Sequence, residues 1–170
     1  MDFRKLIIAA GLLAAAVPAA AAPVSPNQNA TGEALILVPL TLTKIDDLSF
    51  GTIVPSAVSG MVAIDATTGA RTIAGGLTGI ASDPGNRARF AGGGSPNQLV
   101  VVTIIPPAQL TSLAGDTIPL LALPLEGSPI KTIDPVSRTF FFGVGGIILV
   151  NANQPEGVYD GIFSVTANYQ

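Results

Sequence analysis

The sequence predicts an all-β protein, an antiparallel β-sandwich, and three observations support this prediction. Short runs rich in Val, Ile, Leu, Thr and Phe are separated by turn residues, because 19 glycines and 14 prolines punctuate the 170 residues. The windows between them do not keep the 3.6-residue apolar repeat of a helix over three turns. The segment that ends at Tyr169 alternates apolar and polar residues with a period of two, which is typical of a strand with one buried face.

Ten segments are predicted as strands along the chain. Pro39 interrupts the first and marks an edge, a bulge or a strand that switches sheets, because proline cannot donate to a ladder. Residues 99–105 are apolar on both faces, which favours a central strand covered on both sides. Residues 109–114 are expected to form one helical turn at most. The ten predicted strands are 34–43, 48–54, 61–65, 72–74, 87–91, 99–105, 118–123, 139–142, 146–150 and 158–169.

The first 21 residues are predicted to be a cleaved signal peptide. Arg4 and Lys5 give a basic start, residues 6–17 form an apolar run, and small residues follow up to Ala22. The run is shorter than the roughly 20 residues that a membrane-spanning helix needs, so we expect cleavage after Ala21 and export. The rest is long enough for one domain, residues 37–170, preceded by an N-terminal extension of residues 22–36.

The composition excludes several kinds of site. The chain has no histidine and no cysteine, which removes Ser–His and Cys–His nucleophile pairs and zinc sites with imidazole or thiolate ligands. A net charge of −3 without a basic cluster argues against a nucleic-acid partner. We therefore expect no enzyme, no cofactor, no metal and no small-molecule substrate.

Five short motifs have ordinary structural interpretations. Asp46-Asp47 predicts a solvated turn, residues 65–69 a hairpin loop rather than a calcium site, and residues 92–94 a flexible glycine turn rather than a phosphate loop. Arg87 and Arg89 are expected on a wet strand face, opposite Ala88 and Phe90. The run of three phenylalanines at 140–142 must turn at least one ring outward, either beside the core or as an assembly surface.

The C-terminal segment is the most informative part of the chain. Phe163, Val165, Ala167 and Tyr169 are predicted to point to one side, with polar residues between them. Since no further strand follows in this sequence, we expect the outer edge of this strand to lack a partner from its own chain. An unpaired edge offers free N–H and C=O groups to a second chain. Tyr169 is expected to pack at the end of this strand with its hydroxyl in water.

This pattern resembles the end of the subunits, called pilins, of chaperone–usher fimbriae. Pilins end in an alternating strand with a glycine fourteen residues from the terminus and a penultimate aromatic residue, the positions of Gly157 and Tyr169 here. Many pilins carry a disulfide, and this chain departs from that pattern. The wider pattern is similar to DUF4402, an uncharacterised family of secreted bacterial β-domains often grouped with pilins. The segments that carry this second resemblance are 39–42, 47–51, 144–146 and 154–161.

The resemblance implies an immunoglobulin-like sandwich that lacks its final strand. A periplasmic chaperone lends a strand during folding, and an outer-membrane usher replaces it with the N-terminal segment of the next subunit. The partners would be that chaperone, the usher and neighbouring subunits, first in the periplasm and then in a surface fimbria of a Gram-negative bacterium. The groove would be lined by Gly157, Phe163, Val165, Ala167 and Tyr169, and the donor segment, residues 22–36, would insert Val24, Ala30, Ala34 and Ile36.

The sequence thus predicts a structural subunit of a surface fibre assembled by donor-strand exchange. Residues 22–32 could instead form a disordered tail. A second hypothesis is a self-sufficient exported β-sandwich of a cell surface or matrix, whose N-terminal run pairs with its own C-terminal strand. A third is a fimbrial adhesin, although 2 tyrosines and no tryptophan provide few platforms for stacking on a sugar.

Overall fold

The computed structural model describes residues 28–170. The predicted signal peptide and Val24 lie outside the described residues. The chain divides into two units, Met1–Leu35 and Ile36–Gln170. Of the first unit, residues 28–35 are described; they are exposed and belong to no helix or strand.

The second unit is built from β-strands, and the described residues contain no helix. The prediction of an all-β fold is therefore confirmed. In chain order the strands are β1 Thr41–Asp46, β2 Ile53–Val54, β3 Gly60–Ile64, β4 Arg71–Gly75, β5 Thr78–Gly79, β6 Ala88–Gly93, β7 Leu99–Ile105, β8 Gln109–Ser112, β9 Thr117–Ala122, β10 Ile130–Thr132, β11 Thr139–Val144, β12 Gly146–Val150, β13 Tyr159–Asp160 and β14 Ser164–Tyr169. None of the described residues forms a helix that could span a membrane.

The strand pairs are antiparallel and make four sheets. The largest has six strands in the order β13-β8-β9-β12-β3-β4. Two sheets have three strands each, β1-β6-β11 and β10-β7-β14, and β2 pairs with β5 in a small ribbon. This arrangement is consistent with the predicted β-sandwich.

Two apolar clusters form the core. The first lies among the strands of the three-stranded sheets and includes the stacked rings of Phe90 and Phe142, whose centroids are 5.2 Å apart. Its fully buried members are Ala88, Val100, Ile133 and Val144. The second cluster covers the inner face of the six-stranded sheet, where Val62, Ile118, Ile148 and Val150 are buried.

Strand β6 contains two of the three glycines at 92–94, which the sequence predicts as a flexible turn. Gly92 and Gly93 are strand residues, so that prediction is wrong. A Cβ added at Gly92 would overlap the ring of Phe140, because the ring lies directly over the glycine backbone. Phe140 and Phe142 are buried and Phe141 is 62% exposed, as expected for a triplet with one outward ring.

Several other strand predictions are wrong in their limits or their class. The first strand begins at Thr41 instead of residue 34, after Pro39, and the segment 48–54 contains only the two residues of β2. Residues 109–114 were expected to form one helical turn at most. They contain strand β8 instead, which forms a hairpin with β9. The segment 158–169 is two strands in different sheets, β13 and β14. β5 and β10 were not predicted.

Strand β7 is central in its sheet, as predicted, but only one of its faces is covered. Val100 and Val102 are buried in the first cluster, whereas Leu99 and Ile105 are exposed. A fully apolar strand does not by itself require two covering layers, because exposed apolar residues are common on protein surfaces.

Candidate functional site

The outer edge of β14 is unpaired within the unit Ile36–Gln170. β14 pairs along its whole length with β7, from Ser164 opposite Ile105 to Tyr169 opposite Val100. It stands at the end of the order β10-β7-β14, and within this unit no strand pairs with its other side. Its outward main-chain N–H and C=O groups are therefore open to a strand from elsewhere.

The side chains of β14 alternate as a strand on a sandwich edge should. Phe163, just before the strand, and Val165, Ala167 and Tyr169 are half-buried and pack against the first core cluster. Ser164, Thr166 and Asn168 are exposed. The inward side chains reach the core but are not enclosed by it.

Strand β1 is the matching edge of the facing sheet. It ends the order β1-β6-β11, and Leu42 in β1 and Leu40 just before it pack on the same core cluster as β14. The two edges bound one side of the sandwich, which we call the open side: residues 38–55 form one wall and residues 157–169 the other. The walls run in opposite directions, because Tyr169 contacts Val38 while Phe163 and Phe50 line a common cleft.

That cleft lies on the open side. It has a volume of about 750 Å³, within the range of ligand-binding pockets. Its walls carry Phe50 and Ile53 on one side and Tyr159 and Phe163 on the other. Apolar residues of the six-stranded sheet form its floor, namely Leu110, Ile118, Leu120, Ile148 and Val150.

The five predicted groove residues separate into two groups. Gly157 and Phe163 line the cleft. Val165, Ala167 and Tyr169 lie further along β14, beside the first core cluster. The strand edge and the cleft are thus successive parts of the same open side, joined at Phe163.

Tyr169 closes the far end of the open side. Its hydroxyl donates to the carbonyl oxygen of Val38 at 2.7 Å and accepts from the backbone N–H of Ser95 at 2.8 Å. The hydroxyl of Ser95 in turn accepts from the N–H of Val38 at 2.8 Å. The tyrosine hydroxyl, which is expected to reach water, makes two hydrogen bonds with backbone groups.

Arg71 fixes the wall formed by residues 50–55. Its guanidinium donates to the carbonyl oxygens of Phe50 and Thr52, at 3.2 and 3.1 Å. It also donates to the carbonyl oxygens of Asp83 and Ile80, at 3.0 and 2.8 Å. Sequence reasoning missed this residue, because no local pattern indicates that the side chain of one strand satisfies the carbonyls of two distant loops.

Gln154 holds the opposite wall. It is nearly buried, and its amide donates to the carbonyl oxygen of Thr117 at 3.1 Å and to the hydroxyl of Tyr159 at 3.0 Å. The hydroxyl of Tyr159 donates to the carbonyl oxygen of Pro155 at 2.7 Å. Both walls of the cleft are therefore positioned by hydrogen bonds made before anything enters it.

Three carboxylates lie at the cleft. Asp83, Glu156 and Asp160 lie on the cleft, and no set of three His, Cys, Asp or Glu residues in the described part could hold a metal ion. Residues 65–69 form the loop between β3 and β4, as predicted, and hydrogen bonds from the backbone N–H and hydroxyl of Thr68 lower the pKa of Asp65. Its carboxylate oxygen is thus engaged within its own loop.

Of the two acidic residues predicted to form a solvated turn, one lies in a strand and the other follows it. Asp46 ends β1 and pairs with Arg89 at 3.4 Å, while Asp47 follows the strand and pairs with Lys44. Arg89 is exposed opposite the buried Ala88 and Phe90, as expected. Arg87 is instead partly covered, in an ion pair with Glu126 at 3.0 Å.

The predicted donor residues that are described do not lie in strands. Ala30 and Ala34 belong to the first unit and are exposed. Ile36, at the start of the second unit, is 91% exposed. The apolar run that includes Ile36 continues through Leu37 to Val38, ahead of β1.

The fold and the site define an antiparallel β-sandwich with an unpaired strand edge beside an apolar cleft. Residues 40–169 match the family described as a domain of unknown function, DUF4402, and the chain belongs to this family. No curated protein and no solved structure matches the chain.

Proposed function

We propose that the protein is a structural subunit of a bacterial surface fibre, in which each copy receives a strand from a neighbouring copy. The observation that carries this proposal is the unpaired edge of β14, which continues at Phe163 into the cleft. A strand laid along this side would pair with the backbone of β14 and place alternate side chains toward the core. This is recognition by β-augmentation, in which backbone pairing gives affinity and pockets give specificity.

The energies involved are large enough to hold a fibre together. A buried Val- or Ile-sized side chain contributes about 1.5–3 kcal/mol, and a main-chain hydrogen bond about 0.5–1.5 kcal/mol net. Two such side chains, Val24 and Ile36 of the predicted donor segment, and three hydrogen bonds would give on the order of 5–10 kcal/mol before the cost of ordering the donor. That is comparable with the roughly 5–15 kcal/mol that holds a typical domain folded.

The donor in this proposal is residues 22–36 of the next copy. The segment lacks the glycine-rich composition of a flexible linker. Its apolar residues Val24, Ala30, Ala34 and Ile36 are separated by even numbers of residues, so in an extended strand their side chains would point to the same side and could fill successive pockets. Export through a signal peptide, and assembly by a periplasmic chaperone and an outer-membrane usher, complete the proposal. Export rests on the signal peptide predicted over residues 1–21, and the chaperone and usher rest on the resemblance to pilins.

A second candidate function is a self-sufficient β-sandwich of the cell surface or matrix. The observation that favours it is the hydrogen-bond network that joins Tyr169, Val38 and Ser95. This network ties both ends of the unit together without a second chain. In that case the open side would need no donor.

One experiment separates the two candidates. The purified full chain is mixed with a synthetic peptide of residues 22–36, and thermal unfolding is followed by circular dichroism. A matched control peptide carries Ala34→Asp and Ile36→Asp. Strand donation predicts that the first peptide raises the melting temperature by several degrees and the control does not. A monomeric chain with one cooperative transition, unchanged by either peptide, would support the self-sufficient sandwich.

A further inference from the structure

The predicted donor segment has an uneven distribution of side-chain sizes along the face that would point inward. In an extended strand that face carries every second residue, counted back from Ile36. Ile36 is large, and the three residues before it on this face, Ala34, Gly32 and Ala30, are small. Ile36 is also 91% exposed, so the described part of its own molecule leaves it uncovered. The segment therefore offers one large apolar anchor at its C-terminal end.

The open side has the complementary distribution of space. At one end lies the cleft of about 750 Å³, with Phe163 on its wall and an apolar floor. Toward the other end, Val165, Ala167 and Tyr169 pack against the first core cluster and are not part of the cleft lining. A large inward side chain therefore fits at the cleft, whereas small inward side chains suit the rest of β14.

We propose that Ile36 of one copy enters the cleft of the next copy, so that the donor segment runs antiparallel to β14. This inference rests on the proposed strand donation and adds its direction and register. Residues before position 30, including Val24, extend past the end of β14 in this register. The opposed pairs are Ile36 with Phe163, Ala34 with Val165, Gly32 with Ala167 and Ala30 with Tyr169.

Two physical arguments favour this direction over the opposite one. A donor parallel to β14 would put Ile36 beside Tyr169 and bring Ala30 to the cleft. The cleft would then receive no large side chain, and its apolar lining would forgo the packing contacts that such a side chain makes. Antiparallel strand pairs are also slightly more stable per residue than parallel pairs.

The occupant of the cleft comes from a second copy, because the chain's own Ile36 is held at the wrong end of the open side. Val38 is hydrogen-bonded to Tyr169 and Ser95 at the end far from the cleft. Ile36 is two residues from Val38, a span of at most about 7 Å. Phe163 lies six residues from Tyr169, which is about 20 Å along β14. Ile36 therefore falls short of its own cleft, whereas the cleft of a neighbouring copy is open to it.

The short connection also sets how consecutive copies meet. When Ile36 sits in the cleft of one copy and Val38 stays bound to Tyr169 of its own copy, Leu37 alone connects the two sites. The far end of the open side in one copy must then touch the cleft end of the next. The copies would stack head to tail without a flexible joint.

Cross-linking tests the direction, because the chain contains no cysteine. A peptide of residues 22–37 carrying Leu37→Cys is mixed with the full chain carrying either Ile162→Cys or Asn168→Cys, and a short bismaleimide is added. Both positions in the chain are exposed, and they flank the two ends of the segment from Phe163 to Tyr169. The proposed register places residue 37 opposite Ile162. We expect at least about fivefold more adduct with Ile162→Cys than with Asn168→Cys, and circular dichroism confirms the fold of both variants.

An exchange of side-chain sizes in the peptide tests the role of Ile36. Binding to the full chain is measured by isothermal titration calorimetry for three peptides of residues 22–36. The first has the natural sequence and the second carries Ile36→Ala. The third carries Ala30→Ile and Ile36→Ala, so its composition equals that of the first. We expect the second and third peptides to bind at least about tenfold more weakly than the first, because neither brings a large apolar side chain to the cleft.

Failure of this inference and failure of strand donation give different results. Equal binding of the natural and the size-exchanged peptides would overturn the direction while strand donation stands. Adducts formed mainly with Asn168→Cys would do the same. Absence of binding by all three peptides would overturn both proposals.

Discussion

The hydroxyl of Tyr169 donates a hydrogen bond of 2.7 Å to the carbonyl oxygen of Val38, 131 positions earlier in the chain. This contact joins the end of β14 to the segment that enters β1, and therefore links the edges of the two facing sheets. Ser95 completes the network from the loop after β6. The contact lies at the far end of the open side, opposite the cleft.

Tyr169→Phe should destabilise the unit by about 1–3 kcal/mol, because the N–H of the nearly buried Ser95 loses its acceptor. Urea unfolding measures the change. The matched control is Thr166→Val, an exposed position on the same strand, expected to stay within about 0.5 kcal/mol. Equal stability of Tyr169→Phe and the wild-type chain would show that the network does not hold the two edges together.

Arg71→Lys should loosen the cleft wall, because an ammonium group cannot reproduce the fork of donors that reaches four carbonyl oxygens. We expect a loss of at least about 2 kcal/mol in the free energy of unfolding. Arg89→Lys is the control, since its exposed ion pair with Asp46 is worth about 1 kcal/mol or less. The account of the wall is wrong if the two variants lose the same stability.

Gly92→Ala and Gly93→Ala form a matched pair on one strand. A Cβ at Gly92 enters the space of the Phe140 ring, whereas a Cβ at Gly93 meets the hydroxyl of Thr41 no closer than 3.2 Å. Overpacking should cost Gly92→Ala about 1–3 kcal/mol, with a smaller effect at Gly93. Thermal melts of the two variants check this, and the reverse order of stability would contradict the packing of Phe140.

The unit should lose stability in acid through two loop carboxylates. Hydrogen bonds from Thr68 and Thr67 lower the pKa of Asp65, and those from Ser137 and Val136 lower the pKa of Asp134, in both cases below 3.8. A lowered folded pKa stabilises the fold above the ordinary value, and this contribution is lost as the pH falls through the folded pKa.

Melting temperatures measured from pH 6 to pH 2 test this acid dependence. The double variant Asp65→Asn and Asp134→Asn should be less stable than the wild-type chain at pH 6, with a smaller fall toward pH 2. The opposite sign, a wild-type chain that gains stability on acidification relative to the variant, would refute the role of these two carboxylates.

The fold class could be predicted from the sequence because its signals are local. Glycine and proline punctuation separates the strands, and the alternation from Phe163 to Tyr169 identifies one face of β14 without any knowledge of its partners. The same local reasoning joined β13 and β14 into one strand. Apolar residues continue from β13 into β14 without a clear break in the sequence. The chain nevertheless passes from one sheet to another between Asp160 and Ser164.

The candidate site could be predicted only in part, because its walls depend on distant contacts. The edge of β14 has a sequence signature, whereas Arg71 and Gln154 act on backbone groups of other loops and have none. For strand β8 the sequence offered one signal, the turn-forming glycine at position 115. In the structure this glycine lies in the β8–β9 turn with a positive φ of 93°. The helical interpretation of residues 109–114 overlooked that signal.

Hydrogen–deuterium exchange of β14 amides tests the central claim most directly. In the purified full-length monomer, the outward N–H groups of Ser164–Tyr169 should exchange fast and the inward ones, paired with β7, slowly. Addition of the peptide of residues 22–36 should protect the outward groups, and the peptide with Ala34→Asp and Ile36→Asp should not. Outward amides that are already protected in the monomer, and unchanged by the peptide, would contradict the account.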